Sequence, residues 1–348
     1  MKVLIIRFRR VGDAVLTSSI CTTLKQADPN IEIHYVLDQH IGELFDQHPD
    51  IDKVITFSEK EKHSFFIYLR KIWRIMRKEK YDVIIDARST INTMYFSLFS
   101  IGSKYRIGLK KSYLKYVYNY RIDSSQITGY IERMHELLKP LSEKYKFNKS
   151  GSFRLGNSEE ARLAFRHSMQ RAGIDFNKLV VCCAVATRLP YKRWDFEKMK
   201  NTLRFLIIEY DAQLIFNFCG EEEKIYAKKL YSEMDNDSHI FINIKADSLR
   251  DFLSLVSNCH FFFGNEGGPR HISQALKIPS FAIFPPGVST KVWLPGKSIL
   301  YGGIEPSDVN ESIANDPTFS YDQKFDLITV NEVINRLKIP LRQWKLYK

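Results

Sequence analysis

Apolar runs with strand character alternate with helix-periodic segments along this chain. A run over residues 3–8 leads into an amphipathic segment over residues 14–26, and a run over residues 260–263 leads into another over residues 269–276. Such alternation predicts βαβ units, which build parallel sheets. Because it occurs in both halves of a 348-residue chain, we expect an α/β fold with two doubly wound parallel-sheet domains.

A polar stretch without periodicity, residues 144–152, separates the halves. It predicts domains at residues 1–150 and 151–348. In open α/β sheets, ligands bind beyond the carboxyl ends of the strands, so two such edges predict two sheets that face a central cleft. The last helix is expected over residues 330–337, before Pro340, and the sequence leaves open whether it packs back on the first domain.

The net charge of +12 is concentrated in the first half of the chain. Residues 60–80 hold eight Lys or Arg and two Glu, and residues 104–121 hold six basic residues, five tyrosines and no acid. Such a surface attracts nucleic acid, anionic lipid or acidic saccharide. The aromatic residues follow amphipathic patterns and no nucleic-acid-binding motif occurs, so we expect an anionic membrane surface and no nucleic acid.

Several features indicate the cellular compartment. The chain has no apolar run of about 18 residues, which a membrane-spanning helix needs, and its charged N-terminal strand is unlike a signal peptide. The five cysteines are odd in number and form no C-x-x-C pair, which favours reduced thiols in a cytosolic protein. We therefore expect a cytoplasmic protein.

The first candidate site follows the strand at residues 3–8. Gly12 frees the backbone there, and Asp13 stands where the helix is expected to begin. Asp is among the best N-cap residues, so capping is one interpretation. The other is a carboxylate that accepts a proton from an attacking hydroxyl.

The second candidate site follows the strand at residues 260–263. Gly267 and Gly268 let backbone amides approach an anion closely, Pro269 suits a first helical turn, and His271 can donate a hydrogen bond; the combination suits a diphosphate. A tight turn with a satisfied core histidine is the alternative. Since a carboxylate repels phosphate, we expect Glu266 to hold the loop or to bind sugar hydroxyls.

Two further loops follow strands in the second half. Thr187 can donate a hydroxyl to a phosphate, while Lys192 and Arg193 can neutralise charge on a leaving diphosphate; a solvated basic loop is the alternative. Glu222 and Glu223 suit ribose hydroxyls or are first-turn acids of a helix.

Several known site motifs are missing from the sequence. No G-x-G-x-x-G follows a strand, and the nearest Walker-like segment has Lys291 in place of its first glycine. No zinc-ligand spacing, H-E-x-x-H or G-x-S-x-G occurs. We predict neither a metal site nor a bound cofactor.

Taken in order, these motifs make the chain resemble the family 9 glycosyltransferases, the lipopolysaccharide heptosyltransferases that use ADP-heptose. The resemblance covers both halves. It rests on the strand with Gly12-Asp13 and Leu16-Thr17, on Arg106-Ile107-Gly108, on Thr187 with Lys192-Arg193-Trp194, on Asn265-Glu266-Gly267-Gly268-Pro269-Arg270-His271, and on Trp293 with Pro295. Glu266 stands where the family usually has Asp, and Gly267 where it has Thr or Ser.

The resemblance implies a GT-B fold of two Rossmann-like domains, and inverting, metal-independent sugar transfer. Asp13 would be the general base and Lys192 a catalytic residue at the diphosphate. The acceptor would be an anionic lipopolysaccharide or lipooligosaccharide core at the inner membrane, with the enzyme peripherally bound. The donor, ADP-heptose by this resemblance, would be held in the second domain by Thr187, Lys192, Arg193, Glu222, Glu223, Glu266, Gly267, Gly268 and His271.

Two other functions fit the same architecture. A GT-B nucleotide-sugar epimerase would share both domains but would leave the basic aromatic segments unexplained. A non-catalytic, membrane-associated glycan-binding protein would keep the fold and lose turnover.

Overall fold

The computed structural model describes residues 1–148, 152–294, 296 and 298–346. The chain divides into two compact units, Met1–Gly156 and Asn157–Lys348. The boundary expected between residues 150 and 151 falls in a segment outside the described residues.

The first unit is built on a six-stranded, wholly parallel sheet in the order β3-β2-β1-β4-β5-β6. Its strands are β1 (Lys2–Ile6), β2 (Glu32–Asp38), β3 (Lys53–Phe57), β4 (Val83–Asp86), β5 (Tyr105–Leu109) and β6 (Tyr120–Ile122). Its helices are α1 (Val11–Thr17), α2 (Ser19–Ala27), α3 (Gln39–Gly42), α4 (Glu59–His63), α5 (Phe65–Glu79), α6 (Met94–Leu98) and α7 (Tyr130–His135), with 3-10 turns at Glu43–Phe45, Ser112–Leu114 and Glu136–Leu141.

The second unit has a parallel six-stranded sheet in the order β12-β11-β10-β7-β8-β9. Its strands are β7 (Val180–Ala184), β8 (Gln213–Phe216), β9 (Ile240–Phe241), β10 (Phe261–Asn265), β11 (Ser280–Ile283) and β12 (Tyr301–Ile304). Its helices are α8 (Glu159–Arg171), α9 (Phe196–Tyr210), α10 (Gly220–Ser232), α11 (Leu249–Val256), α12 (Gly268–Ala275), α13 (Thr290–Trp293), α14 (Pro306–Val309), α15 (Glu311–Asn315), α16 (Tyr321–Asp326) and α17 (Val330–Leu346), with a 3-10 turn at Pro190–Lys192.

The central strands are buried on both faces, as parallel sheets covered by helices require. Every residue of β4, β7 and β10 is buried. The expected α/β fold with parallel sheets is therefore confirmed. In each sheet the strand order reverses beside the first strand, between β1 and β4 and between β7 and β10, and such switch points are where ligands bind in this class of sheet.

Two helix predictions were wrong in extent. The helix expected over residues 14–26 begins at Val11 and is split into α1 and α2, so Asp13 lies inside the first turn and not before it. The last helix continues through Pro340, because an apolar stripe of Val333, Leu337 and Leu341 stays buried along it. It packs on α9, β11 and β12 of the same unit. Within the described part of the chain, no helix is both long and apolar enough to cross a bilayer.

Candidate active site

Asp13 lies beyond the carboxyl end of β1, where the strand order of the first sheet reverses. The N-cap position of α1 belongs to Arg10, with no side-chain cap, so the interpretation of Asp13 as an N-cap is wrong. Its Oδ2 accepts a hydrogen bond from Nη2 of Arg7. Among the described residues Oδ1 has no hydrogen-bond partner, and 14% of the side chain is exposed, so one carboxylate oxygen is open to a ligand.

Arg7 is itself fixed by groups distant in sequence. Its guanidinium lies 5.8 Å from the Tyr130 ring centroid, and the Tyr130 hydroxyl is 3.0 Å from Oγ1 of Thr17. Burial opposes the charge of Arg7, but nearby Tyr130 and Asp13 outweigh burial and raise the Arg7 pKa above its ordinary value. The Asp13 carboxylate therefore faces a permanently charged, well-held partner.

Further cations surround this strand end. Arg9 adopts a left-handed backbone conformation with φ of +78°, and its N–H donates to Oδ2 of Asp38 at 2.5 Å. Arg88, which follows β4, donates from Nη1 to the Phe8 carbonyl at 2.9 Å. Burial, together with the charges of Arg7 and Arg9, lowers the pKa of Arg88. This convergence of positive charge suits an anionic ligand, and sequence reasoning missed Arg7 and Arg88 as parts of it.

In the second unit, the loop between β10 and α12 is tied to the end of β7. The Asn265 side chain donates to the carbonyls of Ala184 and Val185 at 3.0 Å each and accepts from the Trp194 N–H at 2.8 Å. Gly264 has φ of +141°, and a Cβ there would lie 2.4 Å from the Ala184 carbonyl oxygen. Only glycine lets the two strand ends approach this closely.

His271 is buried in the first turn of α12. Its Nε2 lies 3.1 Å from Nη2 of Arg270, while its Nδ1 has no hydrogen-bond partner among the described residues. Burial, reinforced by the Arg270 charge, holds the pKa of His271 well below its ordinary value. The ring is thus neutral and only half satisfied, unlike the satisfied core histidine considered as an alternative. Glu266 lies 3.8 Å from Arg270 and 3.9 Å from His271, so it contributes to holding the loop.

The loop after β7 carries both predicted cations, Arg193 and Lys192. Arg193 is held in place by its neighbours, whereas no described residue holds the Lys192 ammonium. Arg193 stacks 4.1 Å from the Tyr226 ring centroid, donates to the Thr187 carbonyl at 3.3 Å and lies 3.8 Å from Glu222. Arg193 therefore joins this loop to α10. Lys192 is half-buried and, within the described chain, forms no ion pair, which leaves its ammonium for a ligand.

The remaining predicted residues lie nearby. The Thr187 hydroxyl donates to the Leu189 carbonyl at 2.7 Å and must turn to reach a phosphate. Glu222 is exposed, whereas burial raises the pKa of Glu223, whose Oε2 accepts from the Cys219 N–H at 2.8 Å. Gly267 and Gly268 form the entry to α12. The structure thus gathers all the second-half candidates at the adjacent carboxyl ends of β7, β8 and β10.

Outside these sites, one group of side chains and the cysteines could also carry chemistry. Glu32, His34 and Glu79 have metal-ligand chemistry, but Lys2 and Lys53 bind Glu79 at 2.5 and 2.6 Å, which makes the cluster an ion-pair network. All five cysteines are free thiols, as expected.

Comparison with known proteins decides the family. The protein-family model described as "Glycosyltransferase family 9 (heptosyltransferase)" matches residues 69–300. The chain belongs to glycosyltransferase family 9. The predicted family is confirmed, and the protein is a glycosyltransferase.

Individual family 9 proteins are similar to this chain along most of its length. The chain is 24% identical to lipopolysaccharide heptosyltransferase 1 of Campylobacter coli, over 82% of this chain and 84% of that protein. It superposes on a family 9 glycosyltransferase from Veillonella parvula with a TM-score of 0.83 at 18% identity, covering 98% and 97% of the two chains. The ADP-heptose lipopolysaccharide heptosyltransferase II of E. coli gives a TM-score of 0.75 at 18% identity, covering 99% and 100%. The GT-B fold is therefore confirmed. Pro295, one of the residues that suggested the family, lies outside the described residues.

Proposed function

We propose that this enzyme transfers heptose from ADP-heptose to a hydroxyl of an anionic lipopolysaccharide or lipooligosaccharide core, with inversion and without a required metal. The observation that carries the proposal is the open carboxylate of Asp13 beside the partly buried cations Arg7 and Arg88 in one unit of a family 9 enzyme. The proposed donor and acceptor agree with the names of the relatives from Campylobacter coli and E. coli.

Inverting transfer needs a base on the acceptor side. We infer that Asp13 takes the proton of the acceptor hydroxyl as its oxygen bonds to the anomeric carbon of the sugar. The bond from that carbon to the diphosphate breaks in the same step, and the nucleoside diphosphate leaves with the bonding electrons. Arg7 keeps the carboxylate oriented before the reaction.

The leaving diphosphate gains negative charge that must be stabilised. The amides at Gly267 and Gly268, the start of α12, the ammonium of Lys192 and the N–H of His271 support this role, because fixed donors and cations act where charge develops. They supply the positive potential that a divalent cation provides in metal-dependent enzymes. Glu222 and Glu223, beside Arg193, are our candidates for the ribose.

An anionic acceptor is supported by the first unit. Arg9 and Arg88 lie at the same strand ends as Asp13, and Arg88 is partly desolvated by burial. Such cations favour carboxylate or phosphate groups on the acceptor sugar.

We also propose that the enzyme is cytoplasmic and docks on the anionic inner leaflet through α5. One face of α5 buries Tyr68, Ile72 and Met76. The opposite face, which we call the α5 outer face, exposes Phe66 (83%) and Trp73 (46%) together with Ile67, Arg70, Arg74 and Arg77. Exposed aromatic rings with interleaved arginines are typical of helices that lie at a lipid interface.

A transfer assay with a panel of donors tests the function. ADP-, UDP- and GDP-sugars are incubated with a delipidated core oligosaccharide, and the products are weighed by mass spectrometry. We expect the acceptor to gain one heptose from ADP-heptose only. Interconversion of the nucleotide sugar without an acceptor would instead show an epimerase, and ligand binding without turnover would show a glycan-binding protein.

A further inference from the structure

Arg270 is a fully buried cation at the proposed donor loop. It follows Pro269 in the first turn of α12 and has no exposed surface. Burial lowers its pKa to about 10, so the guanidinium remains charged at neutral pH. A buried charge is costly unless it is paired and hydrogen-bonded, so its contacts are informative.

The contacts of Arg270 reach the loop before α12, α12 itself and the Trp293 carbonyl, to which both terminal nitrogens donate at 3.4 Å. Nη1 donates to Oε1 of Gln274 at 3.0 Å, and Nη2 lies 3.1 Å from Nε2 of His271 and 3.8 Å from Oε1 of Glu266. The guanidinium also lies 5.2 Å from the Phe284 ring centroid. One cation thus links Glu266 of the loop to His271 and Gln274 of α12.

The chemistry of arginine fixes the state of the His271 ring. A guanidinium offers only donors, so Nε2 of His271 must accept, and a neutral imidazole with an accepting Nε2 carries its proton on Nδ1. That Nδ1 is buried and has no partner among the described residues. It is therefore a donor without an acceptor beside the glycine-rich entry to α12.

We propose that Arg270 is a positioning residue that holds His271 as the Nδ1–H tautomer, so that the ring presents a fixed neutral donor to the diphosphate of the nucleotide sugar. This assignment rests on the proposed function of the loop. Glu266 balances the Arg270 charge, and its Oε1 lies 3.9 Å from Nε2 of His271. The Glu266 side chain reaches the guanidinium of Arg270, at 3.8 Å from Nη2.

The surroundings of the ring are consistent with a tautomer that does not change near neutral pH. The charged groups that face it are Arg270 on α12 and Glu266 on the preceding loop, while α13 presents the Trp293 ring at a centroid distance of 6.0 Å. No further charged side chain of the described residues lies within ion-pair distance of His271. A second proton on Nε2 would face the Arg270 cation directly.

The tautomer can be read directly in the unaltered full chain. With 15N-labelled histidine, NMR separates protonated from unprotonated ring nitrogens, and the variant His271→Asn identifies the His271 signals by their loss. We expect a protonated Nδ1 and an unprotonated Nε2 from pH 6 to pH 8. A protonated Nε2, or a ring that titrates in this range, overturns the assignment.

Variants of Arg270 test the consequence for binding. Calorimetry with ADP should show roughly tenfold weaker binding for Arg270→Met, because the Nδ1–H of His271 is no longer held as a donor to the charged diphosphate. The affinity should recover as the pH falls, since the released His271 ring then becomes protonated. Arg270→Lys, which keeps a donor, should retain the tautomer and most of the affinity. If Arg270→Met keeps both the Nδ1–H signature and wild-type affinity, Arg270 only fills space.

The two proposals fail in different ways. Wild-type protein that binds none of ADP, UDP and GDP overturns the proposed function, and with it the role of the ring toward a diphosphate. Wild-type protein that binds ADP with Nε2 protonated overturns the Arg270 assignment alone. Because the wild-type spectrum needs no variant, a misfolded Arg270→Met protein does not prevent the decision.

Discussion

Arg7 and Asp13 form an ion pair between the end of β1 and the first turn of α1, with Nη2 of Arg7 donating to Oδ2 of Asp13. The pair is mostly buried, at 12% and 14% side-chain exposure, and Tyr130 covers the guanidinium. Such a pair orients the carboxylate and leaves its second oxygen for the acceptor hydroxyl. The proposed base is therefore positioned by a residue at the end of the preceding strand.

Removing the positioning group should slow turnover without removing the donor site. For Arg7→Met we expect kcat to fall roughly 10- to 100-fold, because a displaced base loses its alignment with the hydroxyl, while ADP affinity stays unchanged. Arg7→Lys should recover part of the rate. Steady-state kinetics and calorimetry measure both quantities, and unchanged kcat in Arg7→Met would show that Arg7 does not position the base.

Asn265 should contribute strongly to stability. Asn265→Asp keeps the acceptor for the Trp194 N–H but places a carboxylate against the carbonyls of Ala184 and Val185. We expect a loss of about 2–4 kcal/mol in the free energy of unfolding, since buried hydrogen bonds are replaced by repulsion. Urea titration measures the loss. Asn201→Asp on the exposed side of α9 is the control, and equal losses in both variants would refute this role.

Glu79 should make stability depend on acid pH. Hydrogen bonds from Lys2 and Lys53 lower its pKa from 4.5 to about 2. Since the folded state has the lower pKa, the contribution of Glu79 is full above pH 4.5 and is lost as the pH falls toward 2. Glu79→Gln should therefore destabilise by about 1 kcal/mol at pH 7 and by less at pH 3.

Urea midpoints at pH 7, 5 and 3 test this dependence. Glu143→Gln, at an exposed position, is the control and should show a small effect that does not change with pH. A Glu79→Gln effect that grows as the pH falls would have the wrong sign for our account.

The α5 outer face should bind anionic bilayers. We expect binding to vesicles of phosphatidylethanolamine and phosphatidylglycerol that weakens with salt, and roughly hundredfold weaker binding when Arg70, Arg74 and Arg77 are all changed to Gln. Phe66→Ala with Trp73→Ala should weaken binding about tenfold. Co-sedimentation measures both, with Ile208→Ala, 77% exposed on α9, as the control. Binding indifferent to salt and to these changes would refute the membrane proposal.

The sequence predicted the runs that form β1 and β10 because each is continuously apolar, as a strand buried on both faces requires. Strand β12 (Tyr301–Ile304) was missed, since its Tyr-Gly-Gly-Ile sequence has little strand propensity and depends on pairing with β11. The last helix was predicted to end at residue 337, before Pro340, and continues to Leu346. The sequence did not show this, because the burial of Leu341 in the core is a tertiary effect.

In the candidate site, too, features that are local in sequence could be predicted, whereas contacts made in the folded chain could not. The glycine pair and His271 could be predicted from the loop, because their chemistry is local. The N-cap interpretation of Asp13 followed from residue preference alone. It was wrong because α1 begins at Val11, and the Asp13 carboxylate accepts from Arg7 and not from the helix backbone. Neither the Tyr130 ring over Arg7 nor the Arg270 contact with Nε2 of His271 could be read from the sequence, since both depend on side-chain geometry in the folded chain.

Asp13 is the proposed base of the sugar transfer, and the variant Asp13→Asn decides whether it has this role. The amide keeps the size of the side chain but cannot take the hydroxyl proton. With ADP-heptose and a core acceptor, we expect kcat to fall about 100- to 10,000-fold, while calorimetry shows unchanged ADP affinity. Near-normal turnover by a folded Asp13→Asn enzyme would contradict the account.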